Sequence, residues 1–185
     1  MAPVLLHDIL RRTAAGTPQS PAIIDGDRQY SYSDLERDCA RLAAAISAAG
    51  VTRGDRVAIL LPKSFDECAA IFAVSCAGGV FIPINPVMKP QQIAHILDDS
   101  EARCLITNSA EARKLIEYVG PLSDLQIVLV DGERQDLQPA AAAKGIGEDL
   151  AAILYTSGST GPPKGVMLSH ANLLAGTRIV RTYLN

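Results

Sequence analysis

The chain has 185 residues, enough to bury a hydrophobic core, and this length suggests about one domain. Its residues are 48% hydrophobic and 20% charged, a composition that is typical of globular proteins and excludes a disordered or fibrous one. The net charge of −3 and the absence of any basic run argue against a surface that binds nucleic acid.

Neither the N-terminal segment nor a long uncharged stretch predicts export or membrane insertion. Residues 1–16 have no basic n-region before their first apolar residues and reach a charge at Asp8, so we expect no secretory signal here. Residues 69–88 carry no charge over a length that could span a bilayer. Two adjacent glycines and two prolines in this stretch would leave backbone groups unpaired in lipid. We therefore predict a helix end, a turn and a buried strand, and no transmembrane segment.

The cysteine and histidine spacings do not indicate a metal site. The sequence has no Cys-x-x-Cys pair, and its three histidines lie at no spacing typical of metal ligands. Each cysteine falls in a predicted helix or strand, which favours buried, reduced thiols and a cytoplasmic protein. These thiols are Cys39, Cys68, Cys76 and Cys104.

Two strand–helix units are predicted in the first half of the chain. Residues 28–32 alternate as a half-buried strand does, and Ser33 with Glu36 fits a capping box at the start of a helix that ends by Gly50. Residues 57–61 form a continuous apolar run, typical of a strand covered on both faces. A second capping box, Ser64 with Glu67, begins a helix whose predicted apolar stripe is Cys68, Ile71, Phe72 and Cys76.

The same alternation continues along the chain and predicts the fold class. The further predicted elements are a strand at 80–84, a helix that begins at Pro90 and buries Ile93, Ile96 and Leu97, a strand at 104–107, a helix at 109–119 and a strand at 127–130. Strands alternating with helices of this length indicate crossover connections. We therefore predict an α/β fold with a layered, mainly parallel sheet and helices on both faces.

The pattern changes after residue 131. Residues 1–131 form the predicted α/β portion, and residues 132–148 lack apolar periodicity and are predicted to be a loose connection. Residues 149–185 are predicted to contain a strand, a glycine-rich loop, a second strand and the start of a helix. Because the chain stops inside that helix, we expect residues 1–185 to be part of a larger domain.

The glycine-rich segment TSGSTGPPKG, residues 156–165, carries the chemistry of a phosphate-binding loop. Its glycines allow successive N–H groups to turn toward one point, where an anion with several oxygens would bind. Four hydroxyl side chains and the ammonium of Lys164 add donors. The segment does not match Walker A, because Lys164 follows Pro163 and precedes Gly165, and the dinucleotide fingerprint G-x-G-x-x-G is absent. A turn that binds nothing is the alternative, but a linker does not explain the flanking strands.

The segment YTSGSTGPPKGV resembles the phosphate loop of the adenylate-forming superfamily, which includes acyl-CoA synthetases, peptide-synthetase adenylation domains and beetle luciferases. The segments AGGVFIPINP, YSYSDLERDCARLAAAI and DDSEARCLIT are also similar to this superfamily, so the resemblance covers almost the whole chain. It implies that the fold is part of the large N-terminal domain of such an enzyme. More narrowly, PINPVMKPQQIAHIL resembles acyl-CoA ligases that accompany bacterial exosortase systems.

The resemblance implies an AMP-forming acid–thiol ligase. Such an enzyme joins a carboxylic acid, here expected to be a fatty acid, to AMP with release of pyrophosphate, and then transfers the acyl group to coenzyme A. ATP, Mg²⁺ and coenzyme A are the implied cofactors, and the oligomeric state stays open. The residues expected to contact the β- and γ-phosphates are Thr156, Ser157, Gly158, Ser159, Thr160, Gly161 and Lys164.

The resemblance implies that the catalytic lysine follows the phosphate loop, as do the residues that bind adenine, Mg²⁺ and the acyl group. We therefore expect no catalytic residue and no metal ligand in residues 1–185. We also expect no activity from these residues alone. Gly165 and the prolines are expected to shape the loop. His170 is expected to be structural, Asp149 to anchor the strand before the loop, and Lys63 and Lys89 to be solvated. Neither Cys76 nor Cys104 is expected to be a nucleophile, because nothing nearby in sequence would lower its pKa.

Two alternatives remain at this stage. The first is an adenylation domain that loads an amino or aryl acid onto a carrier protein. The second, from another class, is a short phosphate-binding module without catalytic activity. The sequence that follows residue 185 would separate these alternatives from an acyl-CoA ligase.

Overall fold

The fold is taken from a computed structural model that describes residues 5–122, 125–132, 137, 142–156 and 162–184. Within them, the elements in chain order are α1 (Leu6–Gly16), β1 (Pro21–Asp25), β2 (Arg28–Ser31), α2 (Tyr32–Ala48), β3 (Arg56–Leu60), α3 (Phe65–Ala77), β4 (Val80–Ile84), α4 (Pro90–Asp99), β5 (Cys104–Thr107), α5 (Ser109–Val119), β6 (Gln126–Leu129), β7 (Leu150–Thr156), β8 (Lys164–Ser169) and α6 (His170–Leu184).

The main sheet is mostly parallel, as predicted. Among the described residues it has six strands in the order β6-β5-β3-β4-β7-β8. Neighbouring strands from β6 to β7 pair in parallel, and only β8 is antiparallel to its neighbour. Strands β1 and β2 form a separate antiparallel pair. The chain therefore has the predicted α/β fold.

Helices cover both faces of this sheet, and the pleat of the buried strands decides which side chains meet them. In β3, Val57 and Ile59 pack in a cluster with side chains of α1, α2 and α3. Their neighbours Ala58 and Leu60 pack on the other face with side chains of α4 and α5, such as Ile96. Because side chains alternate along a strand, a continuous apolar run is what a strand covered on both faces requires.

The start of α2 differs from the prediction. Ser31 caps the helix: its Oγ accepts a hydrogen bond from the backbone N–H of Asp34 at 3.2 Å, and the Asp34 carboxylate accepts one from the Ser31 N–H at 3.0 Å. The predicted capping box of Ser33 and Glu36 is therefore wrong. An aspartate can close the box as a glutamate does, so the sequence contains two overlapping candidates, and the end of β2 at Ser31 selects the first.

The second predicted capping box is half right. Ser64 caps α3 and accepts a hydrogen bond from the Glu67 N–H at 3.3 Å. The Glu67 carboxylate, however, accepts from Lys63 Nζ at 2.6 Å. The helix begins where the sequence predicts, but the reciprocal bond to the capping serine is replaced by an ion pair.

The buried surface of α3 is wider than the predicted stripe. Ala69, Ala70, Ala73 and Val74 are completely buried, whereas Cys68, Ile71 and Phe72 are only partly buried. The helix contacts both the sheet and the neighbouring helices α1 and α2. Its many alanines allow close approach to these neighbours, and a helix buried on several sides has no single apolar stripe.

Helix α1 and strand β1 were absent from the sequence-based prediction. Leu6, Leu10 and Ala14 lie on one face of α1 at i, i+4 spacing, and all three are buried against α2 and α3.

Of the cysteines, Cys39, Cys76 and Cys104 are buried and Cys68 is half-buried, so the prediction that all four are buried fails at Cys68. In the described part of the chain, no helix is both long and apolar enough to cross a membrane.

Candidate nucleotide phosphate site

The two ends of the predicted phosphate loop lie opposite each other in a β-hairpin. Thr156, the last residue of β7, pairs with Lys164, the first residue of β8. Directly opposed residues have Cβ atoms about 4.5–5.5 Å apart, on the same face of the sheet. Both side chains are exposed to solvent. The structure therefore brings together a hydroxyl and an ammonium group at the mouth of the loop.

The rest of the predicted loop lies outside the described residues. These five residues are Ser157, Gly158, Ser159, Thr160 and Gly161. The described part of the site therefore consists of the two strand ends beside the loop and the contacts that position them.

The hairpin mouth lies at the carboxyl edge of the parallel strands. β4 and β7 pair in parallel with Phe81 beside Ala152, so Thr156 lies just beyond the level of Ile84, the last residue of β4. Because β8 is antiparallel, its first residue, Lys164, lies at the same edge. Ligands of open α/β sheets bind beyond the carboxyl ends of the strands. Thr156 and Lys164 thus occupy the edge where such a ligand is expected.

Helix α4 holds both arms of the hairpin close to its mouth. The Tyr155 hydroxyl, one residue before Thr156, donates a hydrogen bond to the Asp99 carboxylate. On the other arm, His95 Nε2 lies 3.4 Å from the Pro163 carbonyl oxygen, which can only accept a hydrogen bond. Asp99 and His95 are four residues apart, so they lie on the same face of α4. Neither residue is predictable from the sequence, because only the tertiary fold brings α4 beside the hairpin.

The hydrogen bond between Tyr155 and Asp99 persists through the neutral pH range. Burial raises the pKa of the Tyr155 phenol, and the hydrogen bond to Asp99 and its negative charge raise this pKa further. The phenol therefore stays protonated and keeps its O–H donor at neutral pH. A hydrogen bond from a neutral donor to a carboxylate is stronger than a hydrogen bond between two neutral groups. This contact therefore stabilises the packing of β7 against α4.

Replacing Tyr155 with phenylalanine is expected to lower the free energy of unfolding by up to about 1.5 kcal/mol, because one hydrogen bond to a charged but exposed partner is lost. Urea denaturation would measure the change. Tyr118→Phe is the matched control, since Tyr118 is 58% exposed and its hydroxyl contacts the neutral side chain of Gln91 outside the hairpin. If the two variants unfold at the same urea concentration, the contact with Asp99 contributes nothing to holding the hairpin.

Gly165 is required by the close packing of the hairpin. A Cβ atom at this position would lie 2.6 Å from Ile153 Cγ2 and 3.2 Å from Tyr155 Cζ. Both side chains belong to the arm of the hairpin that packs toward α4. Any side chain at residue 165 would therefore displace the Tyr155 ring or separate the strands. Gly165 thus shapes the hairpin rather than supplying a side-chain contact.

The other end of the hairpin is fixed by Asp149. Its carboxylate accepts hydrogen bonds from Arg53 Nη2 at 2.6 and 2.8 Å and from the Ile146 N–H at 3.0 Å. The backbone hydrogen bond from Ile146 and the contacts with Arg53 lower the pKa of Asp149 below its usual range. The Asp149 carbonyl also accepts from the His170 N–H at 3.1 Å. Asp149 therefore anchors the beginning of β7, as the sequence predicts.

His170 lies at that same end, on the far side of the hairpin from Lys164. It is buried, and its Nδ1 accepts a hydrogen bond from the Leu6 N–H at 3.1 Å. This bond ties the start of α1 to the start of α6. The structure gives His170 a structural contact and does not bring it to the phosphate loop.

Because two histidines are buried, we expect the free energy of unfolding to decrease in mild acid. Burial lowers the pKa of both His7 and His170, and the neighbouring Arg11 lowers that of His7 further, against the opposing charges of Asp8 and Asp149. A histidine whose pKa is lowered in the folded state binds protons more readily when unfolded. The contribution of the two histidines to the free energy of unfolding should therefore be complete above about pH 6.5. This contribution should decrease as the pH falls from 6.5 toward the lowered pKa values of the folded state.

Chemical denaturation between pH 5 and pH 8 would measure this dependence. We expect a His7→Gln/His170→Gln double variant to lose most of the slope between pH 6.5 and pH 5. A slope unchanged by the double substitution would mean that other groups bind the protons.

The two other lysines considered from sequence are exposed to solvent, as predicted. Lys63 pairs with Glu67 but is itself 85% exposed, and Lys89 is also exposed. Among the described residues, no group of three or more histidine, cysteine, aspartate or glutamate side chains is arranged to hold a metal ion. The described donors at the hairpin mouth are a hydroxyl and an ammonium group, which suit a polyanion rather than a cation.

Comparison with known proteins decides the family. A protein-family model described as "AMP-binding enzyme" matches residues 10–184. The chain belongs to the AMP-binding enzyme family. The resemblance to adenylate-forming enzymes is thereby confirmed, whereas the narrower resemblance to acyl-CoA ligases of exosortase systems stays a prediction.

The chain is similar to a syringomycin synthase and to three proteins of known structure. Syringomycin synthase SyrB1 of Pseudomonas syringae pv. syringae is 36% identical over 172 residues, which are 91% of this chain and 27% of that protein. VinN in complex with 3-methylaspartate is 30% identical with a TM-score of 0.82, covering 95% of this chain and 51% of that one.

The other two structures carry adenylates. FmoA3, a nonribosomal peptide synthetase solved in its alpha-methyl-L-serine-AMP bound form, has a TM-score of 0.85 at 25% identity and covers 98% of this chain and 20% of that one. The anthranilate CoA ligase AuaEII, solved with anthranoyl-AMP, has a TM-score of 0.80 at 29% identity and covers 91% of this chain and 36% of that one. The chain thus spans about half or less of the length of the relatives it matches.

Proposed function

We propose that this chain supplies the ATP phosphate loop of an enzyme that activates a carboxylic acid as its adenylate. The observation that carries the proposal is the direct pairing of Thr156 with Lys164 at the carboxyl edge of the sheet. The loop residues proposed to bind the β- and γ-phosphates are Thr156, Ser157, Gly158, Ser159, Thr160, Gly161 and Lys164.

In the proposed reaction a carboxylate oxygen attacks the α-phosphorus of ATP, and the bond to the bridging oxygen breaks, so that pyrophosphate leaves. Negative charge then increases on the departing phosphates. The ammonium of Lys164 and the hydroxyl of Thr156 would stabilise this charge in the transition state. Tyr155 and Gly165 would keep the two strand ends in register, so that the donors are positioned before ATP binds. Bound Mg²⁺ would supply further positive charge to the phosphates.

The proposed substrate is an amino or aryl acid rather than the fatty acid first expected from sequence. VinN was solved with 3-methylaspartate, and FmoA3 with the adenylate of an amino acid. AuaEII was solved with the adenylate of anthranilate, an aryl acid. These relatives support the alternative of an amino- or aryl-acid adenylation domain over a fatty-acid ligase.

The acceptor of the acyl group is proposed to be a carrier-protein thiol. The likeness to FmoA3, which is a peptide synthetase, supports this acceptor. Coenzyme A is the second candidate, and the likeness to the CoA ligase AuaEII favours it. The location in the cytoplasm stays a prediction.

We further propose that residues 1–185 are only part of the catalytic domain. The chain spans 51% of VinN and 27% of SyrB1. Apolar side chains of β8 and α6 are exposed, including Met167 at 69% and Tyr183 at 90%. We propose that the sequence after residue 185 packs against this surface and supplies the adenine, Mg²⁺ and acid sites. Residues 1–185 alone would then form no adenylate.

ATP–pyrophosphate exchange tests this proposal. The complete protein would be assayed with separate panels of amino acids, aryl acids and fatty acids. We expect exchange with one of the first two panels, and none from a protein limited to residues 1–185. Exchange with fatty acids alone would overturn the substrate class. ATP binding without exchange on any panel would favour a phosphate-binding module without catalytic activity.

A second assay separates the acceptors. After adenylation, coenzyme A and a carrier protein bearing a phosphopantetheine thiol would be offered in parallel, and thioester formation would be followed by mass spectrometry. Transfer to the carrier protein is the expected result. Transfer to coenzyme A alone would establish the second candidate.

A further inference from the structure

Cys39 of α2 and Cys76 of α3 form a close pair of thiols inside the core. Their sulfur atoms are 3.7 Å apart, although the residues are separated by 37 positions in the sequence. Cys39 is 3% exposed and Cys76 is 9% exposed. Both belong to the core cluster in which α1, α2 and α3 meet. The pair is remote in sequence from the phosphate loop, and the proposed adenylation does not use it.

The two thiols have different chemical character. Cys39 donates a hydrogen bond to the sulfur of Cys76, and this bond lowers the pKa of Cys76. The charge of Arg11 on α1 lowers this pKa further. Burial and the negative charges of Asp8 and Glu36 act in the opposite direction. The same bond and burial raise the pKa of Cys39. Cys76 is thus the more acidic and more exposed thiol, with a second thiol at its side.

The other two cysteines lack this combination. Burial raises the pKa of Cys104, to about 12, and that of Cys68. Cys104 is completely buried and Cys68 is half-buried. From the sequence, no reactivity is expected at Cys76, because nothing near it in sequence lowers its pKa. In the structure, the group that lowers the pKa of Cys76 is Cys39 on another helix, which no local pattern of the sequence reports.

We propose that Cys39 and Cys76 are a modification site, a dithiol that forms an intramolecular disulfide when the protein meets a peroxide. A reactive thiol beside a resolving thiol is the arrangement that such a reaction requires.

The reaction proceeds in two balanced steps. The Cys76 thiolate attacks one oxygen of hydrogen peroxide, and the O–O bond breaks to give a sulfenic acid and hydroxide, which takes up a proton to become water. The sulfur of Cys39 then attacks the sulfenic sulfur, and a second water leaves with the thiol proton. Two thiols are oxidised to one disulfide and one peroxide is reduced to two waters. A small thiol reverses the reaction by exchange.

The two sulfur atoms must move closer for the bond to form. A disulfide has its sulfur atoms about 2.05 Å apart, so the 3.7 Å pair must close by about 1.7 Å, and we expect rotation of the two side chains about their Cα–Cβ bonds to contribute to this movement. The new bond would connect α2 to α3 across the loop of residues between them. Such a cross-link restricts the unfolded chain and is expected to raise the thermal midpoint by about 5 °C or more.

The test uses the complete protein, reduced and then exposed to a small excess of hydrogen peroxide. Free thiols would be alkylated in denaturant, and the protein digested with trypsin and chymotrypsin, since cleavage after Phe72 separates Cys68 from Cys76. Mass spectrometry should find the Cys39 and Cys76 peptides joined, about 2 Da lighter than the two free peptides together. Dithiothreitol should restore both thiols and the original thermal midpoint.

Matched variants assign the cross-link. Cys39→Ala and Cys76→Ala should each abolish the joined peptide, whereas Cys68→Ala and Cys104→Ala should keep it. If a substitution at residue 39 or 76 unfolds the protein, the peptide map of the wild type still decides. Three results would overturn the proposal. Cys39 and Cys76 could be alkylated as fully as in the reduced protein, or either could be cross-linked to another cysteine. Cys76 could also be oxidised to a sulfinic acid without a cross-link.

Discussion

Replacing Lys164 with alanine in the complete enzyme is expected to slow adenylation by about 30- to 1,000-fold, equivalent to ~2–4 kcal/mol of transition-state stabilisation. The side chain is exposed at the mouth of the hairpin, opposite Thr156, so its removal leaves no buried cavity and no unpaired buried group. Folding should therefore change little. The effect should appear in the rate of adenylation at saturating ATP as well as in the apparent affinity for ATP.

The matched control is Lys114→Ala. Lys114 is an exposed lysine of α5 that pairs with Glu111, and it lies outside the hairpin. This variant should retain wild-type ATP–pyrophosphate exchange. If Lys164→Ala also exchanges at the wild-type rate, Lys164 has been assigned wrongly, even though the loop would keep its other donors.

Replacing Gly165 with alanine is expected to lower the free energy of unfolding by about 1–3 kcal/mol and to slow adenylation as well. The added Cβ would meet Ile153 Cγ2 at 2.6 Å and the Tyr155 ring at 3.2 Å. The strands would separate or the ring would turn, and either change would move Thr156 and Lys164 out of register. Urea denaturation and the exchange assay would measure the two effects.

Two further variants make this prediction specific. Gly16→Ala, at the end of α1, is the control, because a Cβ there meets nothing within 4 Å and alanine favours a helix. It should leave stability unchanged or increase it. Adding Ile153→Ala to Gly165→Ala removes the atom that clashes, and should restore part of the lost activity. If Gly165→Ala behaves like Gly16→Ala, the close packing of the hairpin has no functional consequence.

The periodicity of the sequence was sufficient to predict most of the main sheet. The strand at 104–107 and the helix at 109–119 were predicted with the observed bounds, and β3 and β6 begin and end one residue earlier than predicted. Strands that are buried on both faces have continuous apolar runs, and the short length of these runs distinguishes them from buried helices. Boundaries are harder to predict, because Ser31 and Ser33 both match the chemistry of a helix cap.

The candidate site was predictable only where its residues are adjacent in sequence. The glycines, hydroxyls and Lys164 of residues 156–165 form one continuous pattern, so the pattern alone indicated a phosphate loop. The contacts of Tyr155 with Asp99 and of Pro163 with His95 join the hairpin to α4. Such contacts depend on how α4 packs against the sheet, which no local pattern records.

We propose that the chain between Tyr155 and Val166 encloses the phosphates of ATP. A crystal structure of the complete protein with Mg²⁺ and a non-hydrolysable ATP analogue tests it most directly. We expect the β- and γ-phosphates within hydrogen-bonding distance of Lys164 Nζ, the Thr156 hydroxyl and backbone N–H groups of residues 157–161. A triphosphate bound elsewhere, with Lys164 and Thr156 still in solvent, would contradict the assignment.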